Sequence, residues 1–325
     1  MLNAFPSALG NHLVGSSNFN HTFLLVLTDS ACRSNSFRYW HTRPDERIYR
    51  YDWHMNSTYW LNKKCVLTGG SSGLGVSIAR ALLTRGAHVV LVARNEEKLV
   101  NAASNLGDRA GEVTPFVADV TREEDVARLF VEVESRWGQL DFLCNSAGRS
   151  ARGRALDTTP DDFQQLLDVN FLAAVRTTRA FAAMLLQQQG HLVNIGSLAS
   201  KIAPRYMGGY PASKFALAAY TQQVRLELSP QGLHVLQVCP GPILRDNTEP
   251  RFLDHQGGLP AEAQRPAAGA KLRGIDPDWL AGKILDSCQR RRPELIVPWK
   301  VRLLVAVSQF SPRLGDWLLL RATTN

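Results

Sequence analysis

A tyrosine and a lysine four residues apart, in the run YPASK from Tyr210 to Lys214, are a pairing that suggests chemistry. Free in water both side chains titrate near pH 10, so neither alone exchanges protons usefully at neutral pH. On a helix, positions i and i+4 share one face. An ammonium beside a phenol stabilises the phenolate and lowers its pKa. Bringing the phenol to neutral pH takes about three units, or roughly 4 kcal/mol of differential stabilisation. A tyrosine tuned in this way is a general acid/base.

A second cluster is the run TGGSSGLG, residues 68–75, between an apolar run and a helical pattern. In that context Gly69, Gly73 and Gly75 let the backbone turn tightly and approach closely, and the N–H groups opening the helix face a pyrophosphate. The next apolar run ends in LVARNEEKL, which offers Arg94 and no acid before Glu96. A carboxylate there would take a ribose 2′-hydroxyl; a guanidinium suits a 2′-phosphate. NADP(H) is therefore expected over NAD(H).

These residues need a frame to hold them. From Lys63 onward, short apolar runs (64–68, 88–93, 112–119, 140–148, 191–197, 233–241) alternate with amphipathic helical patterns, and 294–298 offers a seventh run. The stretch from Pro160 to Gln188 reads as one long helix, and the stretch from Tyr210 to Ser229 as another. Such alternation predicts βαβ units and a doubly wound parallel sheet of about seven strands, a Rossmann-type α/β domain over 59–298, with ligands at the carboxyl ends of its strands.

At this point the chain closely resembles the short-chain dehydrogenase/reductase family, from about residue 62 to about 245. The family's TGxxxGxG is Thr68 to Gly75, its YxxxK is Tyr210 and Lys214, and its NNAG stands as NSAG, Asn145 to Gly148, with Ser146 replacing the second asparagine. Its catalytic serine matches Ser197, thirteen residues before Tyr210, and its mid-helix asparagine matches Asn170. The resemblance implies hydride transfer between a nicotinamide and a carbonyl or secondary alcohol. Tyr210 is then the acid/base, Ser197 binds the substrate oxygen, Lys214 also holds the ribose, and Asn170 helps position a water leading to solvent. Substrate contact falls to Ser197 and Tyr210. Cofactor contacts fall to Thr68, Gly69, Ser71, Ser72, Gly73, Leu74 and Gly75, to Arg94, Asp119 and Val120, to Asn145, Ala147 and Gly148, to Tyr210 and Lys214, and to Pro240, Gly241 and Ile243. The family's threonine after its PG turn is missing, which leaves carboxamide anchoring to the backbone at Ile243. No metal is implied. Subunits of the family usually pair through the long fourth and fifth helices, which implies a homodimer or homotetramer.

Composition is that of an ordinary globular chain, with 45% hydrophobic residues and a net charge of +8. From Gln289 to the end there are seven Lys/Arg and two acids, so +5 of the +8 lies in the tail. No basic, aromatic-interleaved surface points to nucleic acid. The five cysteines have no CxxC or finger spacing and read as buried thiols in a reducing compartment. No continuous apolar run is long enough to span a bilayer, and TFLLVL (22–27) lacks the flanks of a secretory signal. Residues 1–58 read as an irregular or dispensable extension, and 244–275 as the substrate lid. The tail 299–325 has apolar stretches between basic residues, fitting either a membrane surface or packing on the protein. The expected location is cytoplasmic, free or peripheral on a membrane. TGGSSGLG with LVARNEEKL is particularly like ketosphinganine reductases, a likeness confined to the cofactor half; 3-oxoacyl, ketosphinganine-like and steroid-like substrates are all consistent with it. The alternative to an enzyme is an NADP-binding sensor that kept the fold and lost turnover, against which the intact Asn170, Ser197, Tyr210 and Lys214 argue.

Overall fold

The computed structural model describes residues 58–107, 109–244, 252–253, 258–260, 263 and 272–323. These belong to the unit His54–Asn325. The extension through residue 57 and most of the lid segment lie outside the described residues.

Seven parallel strands form one sheet: β1 (Lys64–Thr68), β2 (His88–Ala93), β3 (Val113–Val117), β4 (Phe142–Asn145), β6 (His191–Ile195), β7 (His234–Pro240) and β9 (Glu294–Val297). Their order is β3-β2-β1-β4-β6-β7-β9. β4, β6 and β7 are buried along their whole length and β2 at all but its two end residues, as expected of a sheet covered on both faces. β3 is an edge strand of mixed exposure, and this position tolerates Pro115. A separate two-residue ladder joins β5 (Ser150–Ala151) to β8 (Phe252–Leu253).

Alternate strand residues feed two cores. Cys65 and Leu67 of β1 pack with Ile78, Leu82 and Leu83 of α1 (Gly73–Thr84), with α2 (Glu96–Ser104), and with Ile284 and Leu285 of the helix Pro277–Gln289. Val66 turns the other way, toward Leu129 of α3 (Glu123–Trp137), Phe181 of α5 (Ala173–Gln187) and Val224 of α6 (Tyr210–Leu228). The order reverses between β1 and β4, whose last residues Thr68 and Asn145 are partners in register. A crevice opens at such a reversal, outside the carboxyl ends of the strands.

The long helix expected from Pro160 is interrupted. Its first part, α4 (Pro160–Leu167), starts at a capping box in which Thr159 and Asp162 exchange bonds, with Pro160 in the first turn. Asp168–Leu172 is then a π turn, and α5 follows. Asn170 sits in the middle of that turn, and one extra residue per turn re-aims its side chain. Over the whole of Pro160–Gln187 the hydropathy reaches 1.2 in an 18-residue window, enough by length and composition to cross a membrane. Here that apolarity serves the core, through buried Phe181 and Leu185.

At the opposite end of the strands a chain of rings closes the core. Tyr59 Oη lies 2.6 Å from His191 Nε2, His191 Nδ1 lies 2.8 Å from His234 Nδ1, and His234 Nε2 lies 2.8 Å from the Arg292 carbonyl. All four ring nitrogens are thereby engaged. Burial holds His191 down to about 3 and His234 to about 4, so both are neutral at pH 7. Cys65, Cys144, Cys239 and Cys288 are buried free thiols, and burial raises each of them.

Candidate active site

A cleft of about 1080 Å³ lies at the carboxyl ends of the strands. The glycine loop forms its floor, and that loop fits a dinucleotide phosphate on the evidence of its own backbone. Gly69 has φ +69°, and a Cβ there would stand 2.7 Å from the Ala147 nitrogen; a Cβ on Gly75 would stand 2.3 Å from the Gly69 carbonyl. These two glycines let the turn close on itself. Gly73, at φ +56°, faces open space. Ser72, the N-cap of α1, makes no side-chain capping bond, and no acid occupies the first turn. The N–H groups opening that helix are therefore left for an anion in the cleft.

The cleft is lined by Gly69, Ser71, Ser72, Gly73, Leu74 and Gly75, by Arg94, Asp119 and Val120, by Ala147 and Gly148, and by Ser197, Tyr210, Lys214, Pro240, Gly241 and Ile243. Two residues expected to touch the cofactor are not among them. The Thr68 hydroxyl accepts from the Ser146 and Ala147 N–H groups at 3.2 and 3.3 Å. Asn145 is buried and bonds Asn194 at 2.9 Å and Thr177 at 2.7 Å. As the last residues of adjacent buried strands, their side chains tie the strands and the loop together and take no part in the cleft surface.

Asn170 also stands behind the wall, 2% exposed. Its Oδ1 accepts from the Arg149 N–H at 2.9 Å; its Nδ2 donates to the Arg149 carbonyl at 2.9 Å and to Ser213 Oγ at 3.0 Å. Ser213 Oγ in turn donates to the Tyr210 carbonyl at 2.7 Å. Both amide protons are engaged, so the geometry makes Asn170 a clamp between the NSAG loop and the start of α6.

The YPASK run resolves into a helix start. Tyr210 is the first residue of α6, Pro211 follows in the first turn, where its missing N–H costs nothing, and Lys214 lies one turn on. Lys214 Nζ sits 5.9 Å from the centre of the Tyr210 ring and donates to the Ile195 carbonyl at 2.9 Å. Burial lowers Lys214 to about 8, so it remains mostly cationic at pH 7. Ser197, just past the end of β6, caps the short helical turn Leu198–Ser200. Its oxygen accepts from the Ala199 N–H at 3.1 Å, which leaves its own proton to donate. This arrangement suits protonation of an oxygen held between Ser197 and Tyr210.

Sequence reasoning missed other parts of the wall. Arg149 lines the cleft with Arg94; its Nε is buried without a hydrogen-bond partner, and burial followed by the charge of Arg94 holds it below its ordinary pKa. A cation directly after NSAG was the available signal. An apolar end, with Leu198, Ile202, Met207, Leu304 and Leu319, had none, because the last two come from the C-terminal helices Val301–Phe310 and Pro312–Thr323.

Known proteins resemble this chain in sequence and in fold. A family model described as short chain dehydrogenase matches residues 63–256. An uncharacterized oxidoreductase of Staphylococcus aureus (strain USA300) is 36% identical over 185 residues, 57% of this chain and 79% of that protein. Among solved structures, an alcohol dehydrogenase from the archaeon Thermococcus sibiricus, complexed with 5-hydroxy-NADP, is 28% identical with a TM-score of 0.61, over 72% of this chain and 95% of that one. A short chain dehydrogenase/reductase from Burkholderia phymatum, in complex with NAD, is similar in fold, at 24% identity and a TM-score of 0.67, over 78% and 95% of the two chains.

Proposed function

The chain belongs to the short-chain dehydrogenase family, a family of oxidoreductases, and from that premise we propose that it is an NADP(H)-dependent reductase of a hydrophobic ketone, or dehydrogenase of the corresponding secondary alcohol. The observation that carries this reading is that Ser197, Tyr210 and Lys214 all line one nucleotide-sized cleft together with the glycine loop, with the Lys214 ammonium 5.9 Å from the Tyr210 ring. Relatives of this fold bind NADP in some cases and NAD in others. The preference for NADP(H) rests on this chain's own cations: Arg94 at the end of β2, with Arg149 close enough to feel its charge.

The nicotinamide, when bound, supplies the hydride. Every other function falls to the protein. Gly69 to Gly75 and the start of α1 hold the phosphates; Asp119, Val120, Ala147 and Gly148 line the nucleoside; Pro240, Gly241 and the backbone at Ile243 meet the carboxamide end. Tyr210 gives its proton to the substrate oxygen, and Ser197 donates a hydrogen bond to that oxygen as charge develops on it. Lys214 keeps the phenol acidic enough to exchange that proton. Asn170 is a positioning residue, holding the loop at Arg149 and the first turn of α6 through Ser213.

The apolar end of the cleft supports a substrate with a large apolar body, such as a 3-oxoacyl, long-chain amino-ketone or steroid-like ketone. Pairing of subunits through α5 and α6 is part of the same proposal, supported by the exposure of Phe215 and Leu226 on α6. The four buried thiols support a reducing, cytoplasmic setting. The direct test is NADPH oxidation with a panel of ketones, in parallel with Tyr210→Phe. We expect turnover in the parent and a loss of at least about a hundredfold in the variant, with NADPH still bound. Near-normal turnover by Tyr210→Phe removes the phenol from the mechanism; no turnover with any ketone, despite NADPH binding, favours the sensor reading.

A further inference from the structure

The two C-terminal helices have two unlike faces. Val301, Leu304, Leu319 and Thr323 turn inward and complete the apolar end of the cleft. Leu303, Phe310, Leu314, Trp317 and Leu320 turn outward and are exposed, Phe310 at 93% and Leu303 at 64%. On the first helix Leu303, Ala306 and Phe310 follow the helical repeat; on the second, Leu314, Trp317 and Leu320 do. The pair is held tightly together: a Cβ on Gly315 would fall 2.5 Å from the Ser308 Cα. Each helix is thus fixed with one apolar face in the site and another facing out.

The helix pair is basic: Lys300, Arg302 and Arg313 are exposed, and Arg321, also exposed, reaches the lining of the cleft. Lys300, Arg302, Arg313 and Arg321 against Asp316 leave a net +3 over residues 299–323. Trp299, 65% exposed, stands at the start of the pair, and Trp317 lies under the Arg321 guanidinium at 5.4 Å. Tryptophan and arginine around an apolar stripe match the layered chemistry of a bilayer surface, where rings and basic groups sit at headgroup depth and aliphatic side chains lie below them.

We propose that this outer face docks on an anionic lipid surface, so that the helix pair opens the apolar end of the cleft toward the bilayer and the enzyme draws its ketone from the membrane. This rests on the carbonyl-reductase reading for the substrate, and on charge and exposure alone for the lipid contact. An apolar substrate then passes along Leu304 and Leu319 without crossing water. Cationic residues near the surface add to the attraction and make it sensitive to salt.

The test uses the full chain and two kinds of vesicle, phosphatidylcholine alone and phosphatidylcholine with phosphatidylglycerol. We expect co-sedimentation with the anionic vesicles, weakened at high salt, and at least about tenfold weaker in Leu303→Ser/Phe310→Ser/Trp317→Ser. Those three side chains lie outside the cleft, so turnover of a short water-soluble ketone should be unchanged in the triple variant, while turnover of a vesicle-dissolved long-chain ketone should fall with binding. A melting curve confirms that the variant is folded; if it is not, Arg302→Glu/Arg313→Glu takes its place with the same expected outcome. A parent that ignores both vesicles overturns the proposal. So does a triple variant that binds vesicles like the parent, or light scattering that shows a parent oligomer falling apart in the variant, which assigns the face to a second copy of the chain. The short-ketone assay keeps failure of the lipid contact distinct from failure of the reductase reading.

Discussion

Replacing Lys214 with methionine removes one charge and keeps the length of the side chain, and its effect on Tyr210 follows from one distance. The ammonium lies 5.9 Å from the phenol ring centre. At an effective dielectric constant of about 20, a unit charge at that range is worth about 3 kcal/mol, or about two pKa units. The phenol needs about three units to reach neutral pH, so Lys214 supplies most of the shift, and the remainder is left to Ser197 and to the positive charge of an oxidised nicotinamide. Lys214→Met should therefore raise the Tyr210 pKa by about two units in the cofactor-free protein. The measurement is the ultraviolet phenolate absorbance, titrated in the parent minus Tyr210→Phe and in Lys214→Met minus the double variant. It needs no turnover, so loss of ribose binding does not obscure it. The charge itself has a pH limit: with Lys214 held to about 8 by burial, it is present at pH 7 and is lost as the pH rises through 8. A difference of less than about half a unit between the two titrations would falsify the electrostatic account of YPASK.

Three further outcomes follow from the geometry. Arg94→Ala should weaken NADPH at least about tenfold while changing NADH little, read by fluorescence titration with each nucleotide; equal weakening makes Arg94 structural. Gly148→Ala places a Cβ 2.7 Å from Asn170 Oδ1 and 3.5 Å from Lys214 Nζ, and Asn170, held by three hydrogen bonds, yields only by breaking one or two of them. We expect about 2 kcal/mol of destabilisation in urea and about a tenfold fall in kcat; a stability equal to the parent's would mean that the clamp is loose. Finally, His191 and His234 titrate in the folded chain below their ordinary value, so the unfolded chain binds more protons between about pH 6.5 and 4. Stability should fall on acidification across that window by on the order of 6 kcal/mol for the two rings together, and a flat urea-midpoint profile from pH 7 to 4.5 would contradict the neutral ring chain.

What was legible along the chain was whatever depends on neighbours in sequence. Periodicity marked all seven strands, because an apolar run of four to seven residues between helical patterns has few other uses. The glycine loop was legible because a tight turn with φ near +60° leaves few choices of residue, and YPASK because four residues make one helical turn. Their boundaries moved by a residue or a few: the run 112–119 gives a strand that ends at Val117, where hydrogen bonding stops before the pattern does. Tertiary structure decided whatever depends on which distant residue arrives alongside. The π turn at Asn170 is invisible in composition, since it exists to aim one amide at Arg149 and Ser213, 21 and 43 residues away. Thr68 and Asn145 share the cofactor motifs with cleft residues, yet their place in register at the ends of two buried strands turns their side chains into the protein. The apolar end of the cleft is built from Leu198 and Met207 together with Leu304 and Leu319, about a hundred residues on. Local propensity can make each of those helices, but only packing brings them to one site, because the free energy that places them comes from surfaces that meet after the chain has folded.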